Sequence, residues 1–281
     1  FFLAIEEIEL RRTRLVLRPH AGGRVETEGA ELAMENYRRF RRLRVTTRDE
    51  ALGGEFALLL ESWGDPRRRE DFSAAAHLRL DSARLKRLEP LLPPRVRLPD
   101  AELSGELWAR LSGEGIVSLQ GELAAPELDP RAFWPEHAQL QTVRELDLRF
   151  AAQWAGDRGS LWLEELHGQW FGQPLEFERV RVDAERAPGA TRLRVGAEYL
   201  DLGALSGALQ SSALVGGPWG EALADLAPYG GLANAHLDLA LPAAGAPDFS
   251  FRAGLVDVSA SPWRQAPGVR NVRGYLAVTP R

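Results

Sequence analysis

The sequence predicts a mainly β protein: a long antiparallel curved sheet with a few short helices, forming an elongated groove. Three observations carry this expectation. Residues 101–111 alternate without a break, with Ala101, Leu103, Gly105, Leu107, Ala109 and Leu111 on one face and Glu102, Ser104, Glu106, Trp108 and Arg110 on the other. That is the two-residue period of a strand with one apolar and one wet side. Turn signals built from Gly, Pro, Asn and Asp recur roughly every ten residues, which argues for a meander of antiparallel strands rather than for β-α-β crossovers. Finally, one unit occurs twice, at 78–111 and at 197–241. Each copy has a strand ending in Leu-Asp (Leu80-Asp81, Leu200-Asp201), a Leu-spaced helical stretch, a Pro/Gly break and a long alternating strand.

In chain order, short strands are predicted around Leu3–Ile5 and Leu15–Leu17. After a turn at His20–Gly23, strands follow over 24–34 and, past a turn at Asn36-Tyr37, over 40–48. Residues 55–63 read as a strand apolar on both faces at its centre, and 72–80 as a strand with Leu78 and Leu80 on one face. At 82–92 the period changes. Leu85, Leu88, Leu91 and Leu92 are spaced as on a short amphipathic helix, capped by Asp81 or Ser82 and ended by Pro93-Pro94. Past 101–111, Gly113 and Gly115 turn the chain into a strand over 116–124, and Ala125–Pro130 begins a turn or helical segment through Trp134. Strands are expected at 143–154, 160–166, 175–183 and 191–200, a helix at 202–214, a helical turn over Trp219–Leu226, and strands at 232–241, 248–258 and 271–278. The total is about fifteen strands and three or four short helices.

Composition narrows the function. The chain of 281 residues carries a net charge of −5 and no cysteine. An acidic balance fits nucleic-acid binding poorly, and without Cys there is no disulfide, thiolate metal site or thiol nucleophile. Arginine supplies every basic residue but Lys86. No apolar run is long enough to span a bilayer as a helix. Phe1-Phe2 at the start, a sole methionine at Met34 and an end at Arg281 read as a piece cut from a longer polypeptide, one continuous segment over 1–281 divisible into sub-units 1–124 and 125–281.

The residues offer little chemistry. The five histidines (His20, His77, His137, His167, His236) are scattered and form no metal-ligand spacing, so neither a metal nor a cofactor is expected. No nucleophile elbow, dinucleotide fingerprint or phosphate loop is present. The Gly216–Gly220 run lacks both the required element order and a lysine. Adjacent carboxylates at Glu6-Glu7 and Glu164-Glu165 point to opposite faces of their strands. A pair of carboxylates converging from distant strands would make a carbohydrate-active enzyme, and the sequence alone leaves that reading open. The arginine runs Arg38–Arg44 and Arg67–Arg69 suit solvated strand edges or phosphate contacts.

A sheet with one apolar face must cover it, and three or four short helices are few for so many strands. An uncovered trough invites a ligand, and acyl chains are the natural one, each buried methylene being worth roughly 0.8 kcal/mol. On alternation alone the groove-facing candidates are Leu103, Leu107, Leu111, Val117, Leu119, Leu146, Leu148, Leu237, Leu239 and Leu241.

The stretch Ser261-Pro-Trp-Arg-Gln-Ala-Pro267-Gly268-Val269-Arg-Asn271-Val272-Arg-Gly274-Tyr-Leu276 resembles the Pro-Trp…Pro-Gly…Asn…Gly signature of the AsmA-like family, in its large YhdP-type branch. The opening strands, Glu35-Asn36-Tyr37 before an Arg-rich strand, Trp63-Gly64-Asp65-Pro66 and Tyr199–Leu202 are similar to it as well. The resemblance implies a periplasmic bridge, anchored to the inner membrane by a segment absent here and reaching toward the outer membrane through regions outside this segment. It further implies that phospholipids pass along a hydrophobic β-groove without catalysis. Pro267, Gly268 and Gly274 then serve turn and strand geometry. The alternative is an envelope scaffold that carries no lipid.

Overall fold

The computed structural model describes residues 6–17, 25–49, 54–65, 67–91, 98, 100–113, 115–129, 131, 142–187, 189–212, 217–242 and 248–279. The strand expected at Leu3–Ile5, the turn at His20–Gly23, Pro93-Pro94 and the segment from Pro130 through Trp134, Arg131 apart, lie outside the described residues.

Fourteen strands make up an antiparallel sheet whose strand order is the order of the sequence. They are β1 (Glu7–Leu17), β2 (Val25–Tyr37), β3 (Phe40–Asp49), β4 (Gly54–Trp63), β5 (Ser73–Arg84), β6 (Glu102–Ser112), β7 (Gly115–Leu128), β8 (Val143–Ala155), β9 (Arg158–Trp170), β10 (Gln173–Ala187), β11 (Ala190–Asp201), β12 (Tyr229–Pro242), β13 (Asp248–Ala260) and β14 (Val269–Val278). Two helices, α1 (Leu202–Ser212) and α2 (Gly217–Leu226), join β11 to β12. The chain divides into two compact units. One comprises 1–138 with Arg144–Leu146, the other 139–143 with Asp147–Arg281, and each is described by itself.

In the first unit the register lines up whole rows of side chains. One row runs Leu10, Leu32, Val45, Leu58, Leu78, Leu107 and Gly121 across β1 to β7. The next runs Ile8, Met34, Leu43, Leu60, Ala76, Ala109 and Leu119. Because neighbours along a strand face opposite ways, the other face carries Glu35, Arg42, Glu61, Ala75, Arg110 and Ser118 in one row. The alternation expected for 101–111 thus holds, with β6 set between Leu78 and Gly121 at Leu107 and between His77 and Gln120 at Trp108.

The expected helix over 82–92 is replaced by a longer strand and a 3-10 turn, Leu85–Leu91. The reason is a bulge. Ser82 adopts φ 55° where the β5–β6 register slips between Leu80 and Ala83, so both of those side chains face the same core and pairing continues to Arg84. Neither Asp81 nor Ser82 caps a helix. The freed Ser82 amide donates to Ser104 Oγ at 2.9 Å, and Leu85 N–H donates to Ala101 O at 2.9 Å. The 3-10 turn packs back against β2, reaching across β3 and β4. Beneath it Leu80, Ala83, Leu103 and Ala125 form a buried cluster flanked by Phe56, Leu78, Leu85, Leu128 and Leu146. At the same end of the strands Thr27 and Thr47 share a buried hydroxyl hydrogen bond of 2.6 Å. Two turn positions also move. β2 runs on to Tyr37, and β7 runs through 125–128, the turn beginning at Asp129, whose Oδ1 accepts from Arg131 N–H at 3.0 Å.

In the second unit the strand–helix–strand expectation holds. Asp201 caps α1, its Oδ1 accepting from Ala204 N–H at 2.8 Å. The helix lies on β10 and β12 and against α2. Leu232, Ala235 and Ala253 are buried there with Leu200, Leu202, Phe251 and Leu255 around them. Bulges again shift the period. Asn234 and Asp257 take positive φ at slips in the β12–β13 and β13–β14 registers. Ser259, 1% exposed, accepts from Asn271 N–H at 2.9 Å, as Ser104 does for Ser82. Ser259→Ala leaves that amide without its acceptor and is expected to lower the unfolding free energy by about 1–3 kcal/mol, read as a lower midpoint in urea at unchanged slope.

Candidate functional site

The feature that sets this protein apart from a sealed β sandwich is the state of its apolar faces. In the first unit, Leu32, Met34, Leu43, Val45, Leu58, Leu60, Leu78, Leu107 and Leu119 are all half-buried. The large side chains of this face that are fully buried, Leu80 and Leu103 at 3% and 8% exposed, lie at the end under the 3-10 turn, while toward the other end only the small Ala74 is buried, at 5%. Between the ends, two apolar rows run laterally over seven strands, most of their side chains half-buried; an apolar surface of this extent suits a partner.

The sequence candidates distribute accordingly. Leu107, Leu111, Val117 and Leu119 lie on the half-open face. Leu103 lies in the buried cluster, and Leu146 packs against that cluster, because the 3-10 turn covers this end of the face and alternation cannot reveal a cover. Leu58, Leu60 and Leu78 were not singled out, although each sits at the centre of a row; their own two-residue period was the signal.

In the second unit Leu161, Val182, Val195, Leu237, Phe251 and Val278 form one apolar row and Leu193, Leu239 and Phe249 part of the next. Leu148, Leu237 and Leu239 are half-buried and Leu241 is exposed. Leu239, Leu193 and Phe249 also line a cavity of about 510 Å³ with Arg192, Arg194 and Asp248. At Gly268 a side chain would sit 2.8 Å from Pro262 Cδ and 2.9 Å from Ala260 O, beside the tight turn that pairs Trp263 with Ala266. Gly274, opposite Leu255, has open space where a side chain would go.

The opposite faces are ionic. In the first unit Arg42 bonds Glu61 at 2.9 Å and Arg48 bonds Glu55 at 2.9 Å. Trp108, the unexpected aromatic on this side, stacks on His77 at 5.0 Å and 6°, and His77 Nε2 lies 2.8 Å from Glu106. In the second unit Arg158 pairs with Glu185, and Arg181 with Asp183. Burial opposes ionisation of Asp183, but Arg181 and the Ser160 hydroxyl outweigh it and hold the carboxyl below its usual range. A hydrogen bond to Glu165 raises the His167 imidazole above its usual value. Exposed pairs of this kind contribute about 0–1 kcal/mol each. Their effect is to keep this face wet, which leaves the apolar face as the side available to an apolar ligand.

Among the described residues no three His, Asp or Glu side chains are placed to hold a metal ion, and no helix is long and apolar enough to cross a membrane. No curated protein and no solved structure matches the chain. The model of the family described as YhdP protein matches residues 2–281. The chain therefore belongs to the YhdP family.

Proposed function

We propose that this segment carries phospholipid acyl chains on the apolar face of its sheet, as part of a periplasmic bridge anchored to the inner membrane and directed toward the outer membrane. The observation that carries the reading is the pair of apolar rows crossing β1 to β7, half-buried from β2 to β6. An acyl chain of about sixteen carbons needs on the order of 12 kcal/mol of matching burial to leave a bilayer. A continuous row of Leu, Val and Met offers that burial without a specific polar contact. No catalytic group takes part; the surface substitutes for hydrocarbon, and movement along it exchanges one apolar contact for the next. Membership of the YhdP family supports the same reading.

Two adjacent positions test it. A photo-crosslinking amino acid at Leu107 faces the apolar rows and one at Trp108 faces the ionic side. In cells, phospholipid adducts are expected at Leu107 and not at Trp108. Equal labelling at both, or none at Leu107 in a folded protein, removes the acyl-chain reading, and the second of these outcomes favours a scaffold that carries no lipid.

A further inference from the structure

On the ionic face of the second unit, one row holds Glu185, Arg192, Ala240 and Asp248 in register across β10 to β13. The row beside it holds Asp183, Arg194, Asp238 and Ser250. There cation and carboxylate stand on adjacent strands and meet, Arg194 Nε lying 3.6 Å from Asp238 Oδ1. In the first row an alanine takes the place of that carboxylate, and Asp248 stands one strand further away. The carboxylate on the other side of Arg192 is engaged already, since Glu185 Oε1 accepts from Arg158 Nε at 3.1 Å and from its Nη2 at 2.9 Å. Arg192 and Asp248 are both exposed, so solutes reach them, and neither has a side-chain partner among the described residues.

The space between them is concave. The cavity of about 510 Å³ is lined on this side by Arg192, Arg194, Asp238, Ala240, Asp248 and Ser250, a size that suits a small molecule. A second cavity, of about 280 Å³, adjoins it over β9 and β10 and shares Arg192 and Arg194. The methyl group of Ala240 leaves the middle of the row open, with a positive wall on one side and a negative wall on the other. Adjacent strands lie about 4.8 Å apart, so Arg192 and Asp248 face each other across about 10 Å. That gap exceeds the limit of a direct ion pair, about 4 Å. A charge-assisted hydrogen bond at each wall takes up about 2.8 Å. What remains between the two bonded atoms of a ligand, an acidic oxygen and an ammonium nitrogen, is about 4 Å. An α- or β-amino acid spans it. A ligand with one charge satisfies one wall and leaves the other bare.

We propose that Arg192 and Asp248 form a binding site for a small zwitterion of the amino-acid class, its acid group on the Arg192 fork and its ammonium group on Asp248. The Ser250 hydroxyl, two residues along the same face, adds a polar contact beside Asp248. The site lies on the side of the sheet opposite the acyl-chain rows and stands independently of that reading. The test titrates the purified protein with β-alanine, and separately with acetate and with ethylamine, following the backbone amide resonances of β11 to β13 by NMR. β-Alanine is expected to shift the resonances around Arg192, Ala240 and Asp248, with an affinity about tenfold above that of either singly charged compound. Arg192→Gln and Asp248→Asn each remove one wall, and each is expected to weaken β-alanine binding about tenfold, to the level of the singly charged compounds. Both side chains are exposed, so both variants keep the fold, which unchanged resonances elsewhere in the spectrum verify. Equal affinity for β-alanine and for its singly charged halves, no shift at these residues, or an affinity unchanged in either variant overturns the site.

Discussion

Leu80→Ala is expected to lower the unfolding free energy by about 2–5 kcal/mol, whereas Leu58→Ala, in the next row of the same face, is expected to cost about 1–2 kcal/mol. Leu80 is 3% exposed and packs among Ala83, Leu103 and Ala125 with Phe56 and Leu85 against them. Truncating it leaves a cavity that these neighbours cannot collapse into, because the bulge at Ser82 and the 3-10 turn fix both sides. Leu58 lies in register with Val45 and Leu78 and is only half-buried, so part of its surface is wet in the folded state and its loss opens no sealed void. Urea denaturation of the two variants measures the difference directly, provided the slope is unchanged. Equal losses at the two positions would mean that the face is sealed along its whole length, which contradicts the open apolar rows on which the functional reading depends.

Much of this was legible in the sequence, and the exceptions have physical causes. The strand order and the two faces of β6 follow from alternation and short turns, both local properties of the chain. The α1 helix was legible because its cap, Asp201, and its Leu spacing lie within one segment. The 3-10 turn at Leu85–Leu91 was not. Whether residues 81–84 join a helix or extend a strand depends on the pairing of Ala83 with Leu103, a partner about twenty residues on that no local pattern names. The bulges at Asn234 and Asp257 were hidden for the same reason. At the site, alternation gave the apolar face of β6 and β7 but could not separate Leu103, under its cover, from Leu107, outside it.

Leu107→Asp is expected to abolish lipid loading while leaving the protein folded. Leu107 is half-buried, its Cδ2 resting over Gly121, so a carboxylate at this position still reaches water when no lipid is bound. With an acyl chain across the row, the same carboxylate is held against hydrocarbon. Placing Asp in the hydrocarbon of a bilayer costs about 3 kcal/mol, which converts to roughly a hundredfold loss of loading. Trp108→Asp supplies the control, since that residue points to the ionic face beside His77 and Glu106, and loading is expected to stay within about twofold of wild type. The two positions are neighbours in sequence and share one strand, so a general loosening of β6 would lower both values together. Loss at Leu107 alone requires that the lipid recognise one face of a single sheet. Loading that survives Leu107→Asp would place the lipid elsewhere on the chain, and the rows through Leu58, Leu78 and Leu107 would then be a packing surface rather than a path.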